Sequence, residues 1–344
     1  LELDRTTGRR GPRFRAAEAH LIMLTGAEDA LVTNNNAAAL ALAVGLAGRG
    51  GGVVVSRSEL VEIGGGVRIP EIIRRAGARL IEVGTTNRTR AADFEAPLVE
   101  GRARIVLRVH PSNFRQEGFT EAPDAAELAA LAHGHGAVVI DDLGSGALLR
   151  TESFGLAHEP MPSERLAAGA DLVTFSGDKL VGGPQAGLIV GRADLVARIR
   201  RDPLARAMRP DKVTLAAVAA TLALYRTGRA VTEIPVWRMI AAQPDAIRER
   251  AEAVAVAGAS GAGVAVDTVA TEATVGGGSL PGEILRSFGV AIGGRSANRT
   301  LAALRAGTPG VIGRIEDGRV ILDLRTVDPE RDADLVTAIR AATG

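Results

Sequence analysis

The sequence predicts an α/β fold in which a mostly parallel sheet is covered by helices on both faces. Short apolar runs rich in β-branched residues alternate along the chain with longer segments whose composition favours helix. Strands separated by helices pair in parallel, and such a sheet is buried on both faces. After about residue 230 the pattern becomes mixed, which predicts a smaller C-terminal α+β domain. We therefore expect a large domain over 21–230 and a small domain over 231–344.

The individual elements follow from composition and from the residues that bound them. An alanine-rich apolar run over 37–46 predicts a helix, and three asparagines before it can cap its free N–H groups. A proline near the first turn favours a second helix over 69–75. The other predicted elements are strands at 52–55, 80–83, 103–109, 137–140, 172–175 and 186–190 and helices at 125–132 and 215–225. In the C-terminal domain, 264–275 and 318–324 predict strands and 334–342 a closing helix.

Composition excludes several classes of function. The chain has no cysteine, which removes disulfides, thiolate metal sites and cysteine nucleophiles and fits a reducing cytoplasm. No apolar run reaches the roughly 18 residues that a membrane-spanning helix needs. A formal net charge of +1 argues against a surface that coats nucleic acid, although a local basic patch remains compatible with it.

Lysine is scarce, and one lysine occupies a position suited to chemistry. Of the 41 lysines and arginines, only Lys179 and Lys212 are lysines. Arginine stays protonated and cannot form an imine, whereas a deprotonated lysine amine can attack a carbonyl carbon. Lys179 lies in a glycine-rich turn directly after the predicted strand 172–175, while Lys212 lies away from any strand end. We therefore favour Lys179 as an imine-forming residue, with a plain surface lysine as the alternative.

The surroundings of Lys179 suit a pyridoxal phosphate (PLP) site. Such a site needs a lysine, a carboxylate for the pyridine nitrogen, and donors for the phosphate, which a helix N-terminus supplies well. Asp142 follows the apolar strand 137–140 and is the candidate for the ring nitrogen. Asp141 is the alternative, and only one of the pair should face the ring because side chains alternate across a strand. Ligands of parallel sheets bind at the carboxyl ends of the strands, where Asp142 and Lys179 both lie.

Further polar groups at the predicted helix start and strand ends could complete the site. These residues are Asn34, Asn35, Asn36, Ala37, His110, Asn113 and Ser176. The segment 34–37 would hold the phosphate, or it only caps the helix. Ser176 would add a hydroxyl to the phosphate, or it is simply a turn residue. His110 would stack on the ring or relay a proton and Asn113 would reach the phenolic oxygen, unless each only stabilises its loop.

Two arginines form a second cluster. Arg206 and Arg209 are three residues apart and would share a helix face, where two guanidinium groups suit a tetrahedral dianion such as phosphate. In an arginine-rich chain, the ordinary explanation for this spacing is that both arginines lie on a solvent-exposed helix face. His133 and His135 are close in sequence, but no carboxylate or cysteine follows at a ligand spacing, so we expect no metal.

Longer motifs resemble a known family. They are SRSELVEIGG (56–65), EVGTTNRT (82–89), DLGSG (142–146), TFSGDKLVGGPQAG (174–187), PLARAMRPDK (203–212), GGGSLPG (276–282) and VIGRIEDGR (311–319). Together they resemble bacterial selenocysteine synthase, the L-seryl-tRNA(Sec) selenium transferase, over essentially the whole chain.

The resemblance implies a fold-type-I PLP-dependent transferase with Lys179 as its imine lysine. It implies that Arg206 and Arg209 handle selenophosphate or its phosphate, and that the product is L-selenocysteinyl-tRNA(Sec). The reaction would eliminate water from the serine moiety of L-seryl-tRNA(Sec) and add selenium. The implied assembly is a cytoplasmic homo-oligomer of dimers that share active sites in a larger ring, a decamer in the family.

Two other functions remain as alternatives. One is a PLP-dependent lyase that acts on a free amino acid or an amino sugar phosphate, and the other is a non-catalytic subunit that binds tRNA or a partner. The family also carries an N-terminal tRNA-gripping domain, and this sequence begins at Leu1 within the catalytic part. We therefore expect 1–20 to be the remnant of an N-terminal arm, with Pro12 where the family tends to have serine, and the cofactor chemistry to be retained.

Overall fold

The computed structural model describes residue 8 and residues 15–260, 263–294 and 296–344, so the predicted arm over 1–20 lies mostly outside the described residues. The chain divides into two compact units. The first comprises Leu1–Trp237 with Gly276–Gly282, and the second comprises Arg238–Val275 with Glu283–Gly344. No helix in the described part of the chain has both the length and the apolar character that crossing a bilayer requires.

The first unit contains the large sheet and its helices. Its strands are β1 (Asp29–Thr33), β2 (Gly52–Ser56), β3 (Glu62–Ile63), β4 (Val67–Arg68), β5 (Arg79–Val83), β6 (Ala103–Val109), β7 (Val138–Gly144), β8 (Leu172–Ser176) and β9 (Gly187–Gly191). Its helices are α1 (Arg15–Thr25), α2 (Asn36–Gly45), α3 (Ile69–Arg75), α4 (Ala91–Val99), α5 (Ala125–Gly134), α6 (Pro162–Ala167), α7 (Ala193–Arg201), α8 (Pro203–Ala207), α9 (Lys212–Arg226), α10 (Ala230–Glu233) and α11 (Pro235–Ala241), the last of which ends in the second unit.

The large sheet has the strand order β1-β9-β8-β7-β6-β2-β5. Strand β9 runs antiparallel to both of its neighbours, and the remaining pairs from β8 to β5 are parallel. This confirms the predicted mostly parallel sheet. A parallel sheet exposes little of either face to water, which explains why its strands read as continuous apolar runs rather than alternating ones.

Helices cover both faces of this sheet. On one face, α2, α3 and α7 pack on side chains that include Val53, Leu107 and Ile140. On the other face, α4 and α5 pack on side chains that include Val106 and Val139. Neighbouring residues of one strand thus enter different cores, as the two-residue period of a strand requires.

The second unit is a small α+β domain, as predicted. Its strands β10 (Val266–Thr274), β11 (Ile284–Ile292), β12 (Arg314–Glu316) and β13 (Arg319–Asp323) form an antiparallel sheet in the order β10-β11-β13-β12. Helices α12 (Pro244–Ala259), α13 (Ala297–Ala306) and α14 (Asp332–Thr343) share one apolar core with this sheet. The predicted strands 264–275 and 318–324 correspond to β10 and β13, whereas β11, which lies between them in the sheet, was not predicted.

Candidate active site

Asp142 is the best-anchored carboxylate at the carboxyl edge of the large sheet. It lies in β7, which continues to Gly144 and is therefore longer than the predicted strand. The Asp142 side chain is buried, and its Oδ1 accepts hydrogen bonds from Asn36 Nδ2 and Thr174 Oγ1, both at 2.8 Å. Asn36 is the first residue of α2, and Thr174 pairs with Asp142 across β7 and β8. Two elements therefore fix the orientation of this carboxylate.

Uncharged donors and the nearby Lys179, rather than a close ion pair, oppose the effect of burial on the Asp142 carboxylate. Burial raises the pKa of Asp142, and the hydrogen bonds from Asn36 and Thr174 and the charge of Lys179 act in the opposite direction. None of the described residues donates a hydrogen bond to Asp142 Oδ2, and no ion pair within 4.0 Å joins Lys179 to this carboxylate. The second oxygen is therefore free to accept a proton-bearing nitrogen from a bound group.

Lys179 lies in a turn that the sheet holds rigidly. It follows β8, and its side chain is half-buried. Gly177 N–H donates to the Ala186 carbonyl at 2.8 Å, and Leu180 N–H donates to the Ser145 carbonyl at 3.0 Å. These bonds tie the residues around the lysine to β9 and to the loop after β7. The lysine backbone is thus fixed close to the carboxylate edge.

The start of α2 uses its three asparagines differently. Only Asn35 caps the helix, because its side chain accepts a hydrogen bond from Ala38 N–H at 2.9 Å. The Asn36 side chain turns to Asp142, and its Oδ1 is buried without a partner among the described residues. Asn34 N–H donates to the Met208 carbonyl at 2.9 Å, and Ala37 is half-buried. The phosphate role of 34–37 stays a prediction.

Two other predicted residues, His110 and Asn113, contact residues that are distant in sequence, and a third, Ser176, ends a strand. His110 Nε2 lies 3.1 Å from Glu159 Oε1, and the His110 N–H donates to the Asp142 carbonyl at 2.8 Å. Asn113 Nδ2 donates to the Glu62 carbonyl at 3.2 Å, and Ser176 is buried at the end of β8. The contacts of His110 and Asn113 are compatible with the loop-stabilising alternatives, and the cofactor roles of all three residues stay predictions.

The two predicted arginines do not share a helix face, so that expectation is wrong. Helix α8 carries Arg206 but ends at Ala207, and Arg209 lies beyond it. Arg209 precedes Pro210, and the residue before a proline is disfavoured in the helical region. Both side chains are exposed and have no hydrogen-bond or ion-pair partner in the described part of the chain. Their segment nevertheless reaches the start of α2 through the bond from Asn34 to Met208.

A second cluster of charges lies on the other face of the sheet. Asp141 Oδ2 is 3.5 Å from Arg165 Nε and 3.9 Å from Arg108 Nη1. The charges of both arginines lower the pKa of Glu59, but burial has the larger effect and raises this pKa to about 8. Burial also raises the pKa of Asp141. Glu59 Oε2, Arg108 Nη1 and Arg165 Nε are buried without hydrogen-bond partners among the described residues, so this cluster is poorly satisfied.

Sequence reasoning missed Thr174 as part of the site. The sequence contains an indication of this role, because Thr174 lies on the predicted strand 172–175, five residues before Lys179. A threonine hydroxyl in an otherwise apolar buried strand needs a partner. The partner is Asp142, which became identifiable only once β7 and β8 were known to be neighbours in register.

The comparisons with a family model and with named relatives indicate the same family. The family model for L-seryl-tRNA selenium transferase matches residues 1–328. A relative from Rhizobium meliloti, named L-seryl-tRNA(Sec) selenium transferase, is 47% identical over 339 residues, which are 96% of this chain and 72% of the relative. A relative of the same name from Carboxydothermus hydrogenoformans is 47% identical over 332 residues, which are 95% of this chain and 71% of the relative.

Solved structures agree on the fold. D-glucosaminate-6-phosphate ammonia-lyase aligns with a TM-score of 0.61 at 22% identity, covering 96% of this chain and 85% of that chain. Serine palmitoyltransferase from S. paucimobilis with bound PLP aligns with a TM-score of 0.50 at 15% identity, covering 99% of this chain and 78% of that chain. At such low identities the likeness shows the fold alone, which is the predicted fold-type-I architecture. Because the family model and the relatives cover most of its length, the chain belongs to the L-seryl-tRNA selenium transferase family.

Proposed function

We propose that this chain is a PLP-dependent enzyme that converts L-seryl-tRNA(Sec) to L-selenocysteinyl-tRNA(Sec) with selenophosphate as the selenium donor. Family membership supports the reaction. One structural observation carries the cofactor assignment: the buried Asp142 carboxylate is held by uncharged donors at the sheet edge and interacts with the charge of Lys179. An amine and an anion placed in this way are what the aldehyde and the ring nitrogen of PLP require.

The residues present fit PLP. Lys179 would hold the aldehyde carbon, Asp142 would contact the ring nitrogen, and the start of α2 with Ser176 would hold the phosphate. Asn36 Oδ1 and Ser145 Oγ are buried without partners among the described residues, and buried polar atoms normally have one. When bound, PLP supplies an electron sink for the negative charge left on the substrate α-carbon.

The chain's own residues would supply the proton transfers and the anion contacts. Asp142 holds a proton at the ring nitrogen, because a buried carboxylate with neutral donors favours a neighbouring cation. The Lys179 amine would take the α-proton of the serine moiety, and the resulting ammonium would give a proton to the β-hydroxyl, which leaves as water. The selenium of selenophosphate then bonds to the β-carbon, the α-carbon regains a proton, and hydrolysis of the selenium–phosphorus bond releases phosphate.

Arg206 and Arg209 would bind the phosphate group of selenophosphate. Both are exposed without ion-pair partners in the described part of the chain, so their guanidinium groups are available to a dianion. We also propose the predicted domain limits of 21–230 and 231–344, a cytoplasmic location and a homo-oligomer of dimers. The family resemblance supports the assembly, and the absence of cysteine fits the location.

Borohydride trapping followed by peptide mapping tests this proposal. In the wild-type chain loaded with PLP, we expect the reduced cofactor on the peptide that contains Lys179. Lys179→Ala should lose the trapped cofactor and at least about a thousandfold of the selenium transfer, since no other residue replaces the amine. Lys212→Ala is the matched control, as it removes the only other lysine.

The reaction is measured with purified seryl-tRNA(Sec) and selenophosphate. Appearance of selenocysteinyl-tRNA(Sec) is the expected result. Trapped cofactor on Lys212, or turnover of a free amino acid at a rate that seryl-tRNA(Sec) does not affect, would contradict the proposal.

A further inference from the structure

A glycine distant in sequence lies against the reactive end of Lys179. The segment Gly276–Gly282 connects β10 to β11 and belongs to the first unit. A Cβ atom built on Gly278 would lie 2.8 Å from Lys179 Nζ, 2.9 Å from Cε and 3.3 Å from Cδ. Real Cβ atoms essentially never come closer than 3.0 Å to another heavy atom. Any larger residue at this position must therefore displace the lysine amine or the segment.

A second glycine approaches the same amine. A Cβ atom built on Gly144 would lie 3.6 Å from Lys179 Nζ and 3.1 Å from Ser112 Oγ. Gly144 has φ +67° and Gly278 has φ +81°, a region that residues with a Cβ rarely adopt. Two glycines, one at the end of β7 and one in the segment 276–282, thus restrict where the amine can lie.

The residue after Gly278 supplies an unpaired polar group. Ser279 is 5% exposed, and its Oγ is buried without a hydrogen-bond partner among the described residues. The Lys179 amine also has no partner within hydrogen-bond distance in the described part of the chain. An unsatisfied buried hydroxyl costs about 1–3 kcal/mol, so Ser279 would gain from a partner, and the Lys179 amine lies against the preceding residue, Gly278. An amine and a hydroxyl are complementary partners.

We propose that Gly278 and Ser279 are positioning residues for Lys179. Gly278 allows the backbone to lie against the amine and so limits its movement. The Ser279 hydroxyl rotates to hydrogen-bond with the amine when Lys179 is free to act as a base. This inference rests on the proposed role of Lys179 and extends the site to a segment that the cofactor argument does not use.

The scarcity of lysine gives a direct test in the cofactor-free full chain. The measured quantity is the rate of reductive methylation of Lys179 relative to that of Lys212, resolved by peptide mass spectrometry. We expect Gly278→Ala and Ser279→Ala each to raise this ratio at least about threefold, because the amine leaves its restricted position or loses a hydrogen bond. Gly278→Ala should also weaken PLP binding about tenfold.

Matched variants separate positioning from general damage. Gly282→Ala has nearly the same backbone strain, since Gly282 has φ +80°, but a Cβ there meets nothing within 4 Å. Its methylation ratio should equal that of the wild type. Ser279→Thr keeps the hydroxyl and should restore the wild-type ratio, which a merely structural role for the hydroxyl would not predict.

Two results would overturn the inference. One is a Gly278→Ala ratio equal to that of Gly282→Ala, and the other is a Ser279→Ala ratio equal to that of the wild type. Should Gly278→Ala fail to fold, the comparison of Ser279→Ala with Ser279→Thr decides alone. If the wild-type chain does not bind PLP through Lys179, the proposed function fails, while the cofactor-free ratios still decide the positioning roles.

Discussion

Asp141 and Asp142 are neighbours in β7, equally buried, and yet their two faces of the sheet differ in kind. On the α2 face, Asp142 accepts two short hydrogen bonds from uncharged side chains. On the opposite face, Asp141 lies 3.5 Å from Arg165 and 3.9 Å from Arg108. The charges of the same two arginines also act on Glu59. The first arrangement leaves one carboxylate oxygen without a donor among the described residues, and the second places two guanidinium groups beside Asp141 and beside Glu59, whose pKa is raised.

The difference shows that a buried aspartate can either remain available to a ligand or be held by neighbouring arginines. Uncharged donors orient a carboxylate without neutralising it, so the remaining charge can act on a bound cation. On the opposite face, both arginines are held by Asp141, and the buried atoms of this cluster that lack partners cost stability. We therefore assign chemistry to the α2 face and a structural role to the opposite face.

The largest expected effect is a difference in catalytic activity between variants of Asp142 and variants of Asp141. Asp142→Asn should lower kcat/KM for selenium transfer by about a hundredfold to a thousandfold, because the ring nitrogen loses its anion. Asp141→Asn should lower it less than about tenfold while reducing thermal stability, since it leaves the arginines unpaired. Steady-state kinetics and thermal melts of both variants measure this. Equal losses of activity would remove the assignment of chemistry to one face.

The buried glutamate of the opposite face predicts a pH-dependent stability. The pKa of Glu59 is raised to about 8, so the folded state keeps its proton while the unfolded state loses it above about pH 4.5. The contribution of Glu59 to the free energy of unfolding is therefore lost as pH rises from about 5 to 8. Glu59→Gln cannot ionise and should gain on the order of 2 kcal/mol relative to wild type across this range.

Denaturant unfolding at several pH values in the cofactor-free chain tests the glutamate. The matched control is Glu62→Gln, because Glu62 is exposed and pairs with Arg68 at the surface. Its stability difference from wild type should change little with pH. A Glu59→Gln curve parallel to that of wild type would show that Glu59 is ionised in the folded protein.

A smaller effect is expected from one hydrogen bond on the α2 face. Thr174→Val removes a donor to Asp142, which should raise the pKa of Asp142 further and lower kcat about tenfold. Thr174→Ser keeps the hydroxyl and should restore most of the activity. The pH profile of kcat measures the change, since its acidic limb should move to higher pH. A profile unchanged in position would mean that Thr174 does not tune this carboxylate.

The smallest effect concerns the exposed arginines, which contrast with the buried pair on the opposite face. Arg206→Lys and Arg209→Lys keep the charge and lose the two-pronged geometry, so KM for selenophosphate should rise about fivefold with kcat nearly unchanged. Arg74→Lys, on the exposed side of α3, is the control. Unchanged KM in both variants would place the selenophosphate site elsewhere.

The sequence predicts one part of this contrast and misses another. The two-residue period of a strand was enough to expect Asp141 and Asp142 on opposite faces. The contacts of Asp142 with Asn36 and Thr174 span 106 and 32 residues, and they depend on which strands and helices become neighbours. Local periodicity does not contain that information. The expectation that Arg206 and Arg209 share a helix face is wrong for a local reason, because Pro210 disfavours the helical conformation at Arg209.

One backbone hydrogen bond has a mechanical consequence. Asn34 N–H holds the Met208 carbonyl, so the stretch bearing Arg206 and Arg209 is tethered to the entrance of α2. If Arg206 and Arg209 bind the phosphate of selenophosphate as proposed, this bond would keep that phosphate near the helix start where Asn36 contacts Asp142.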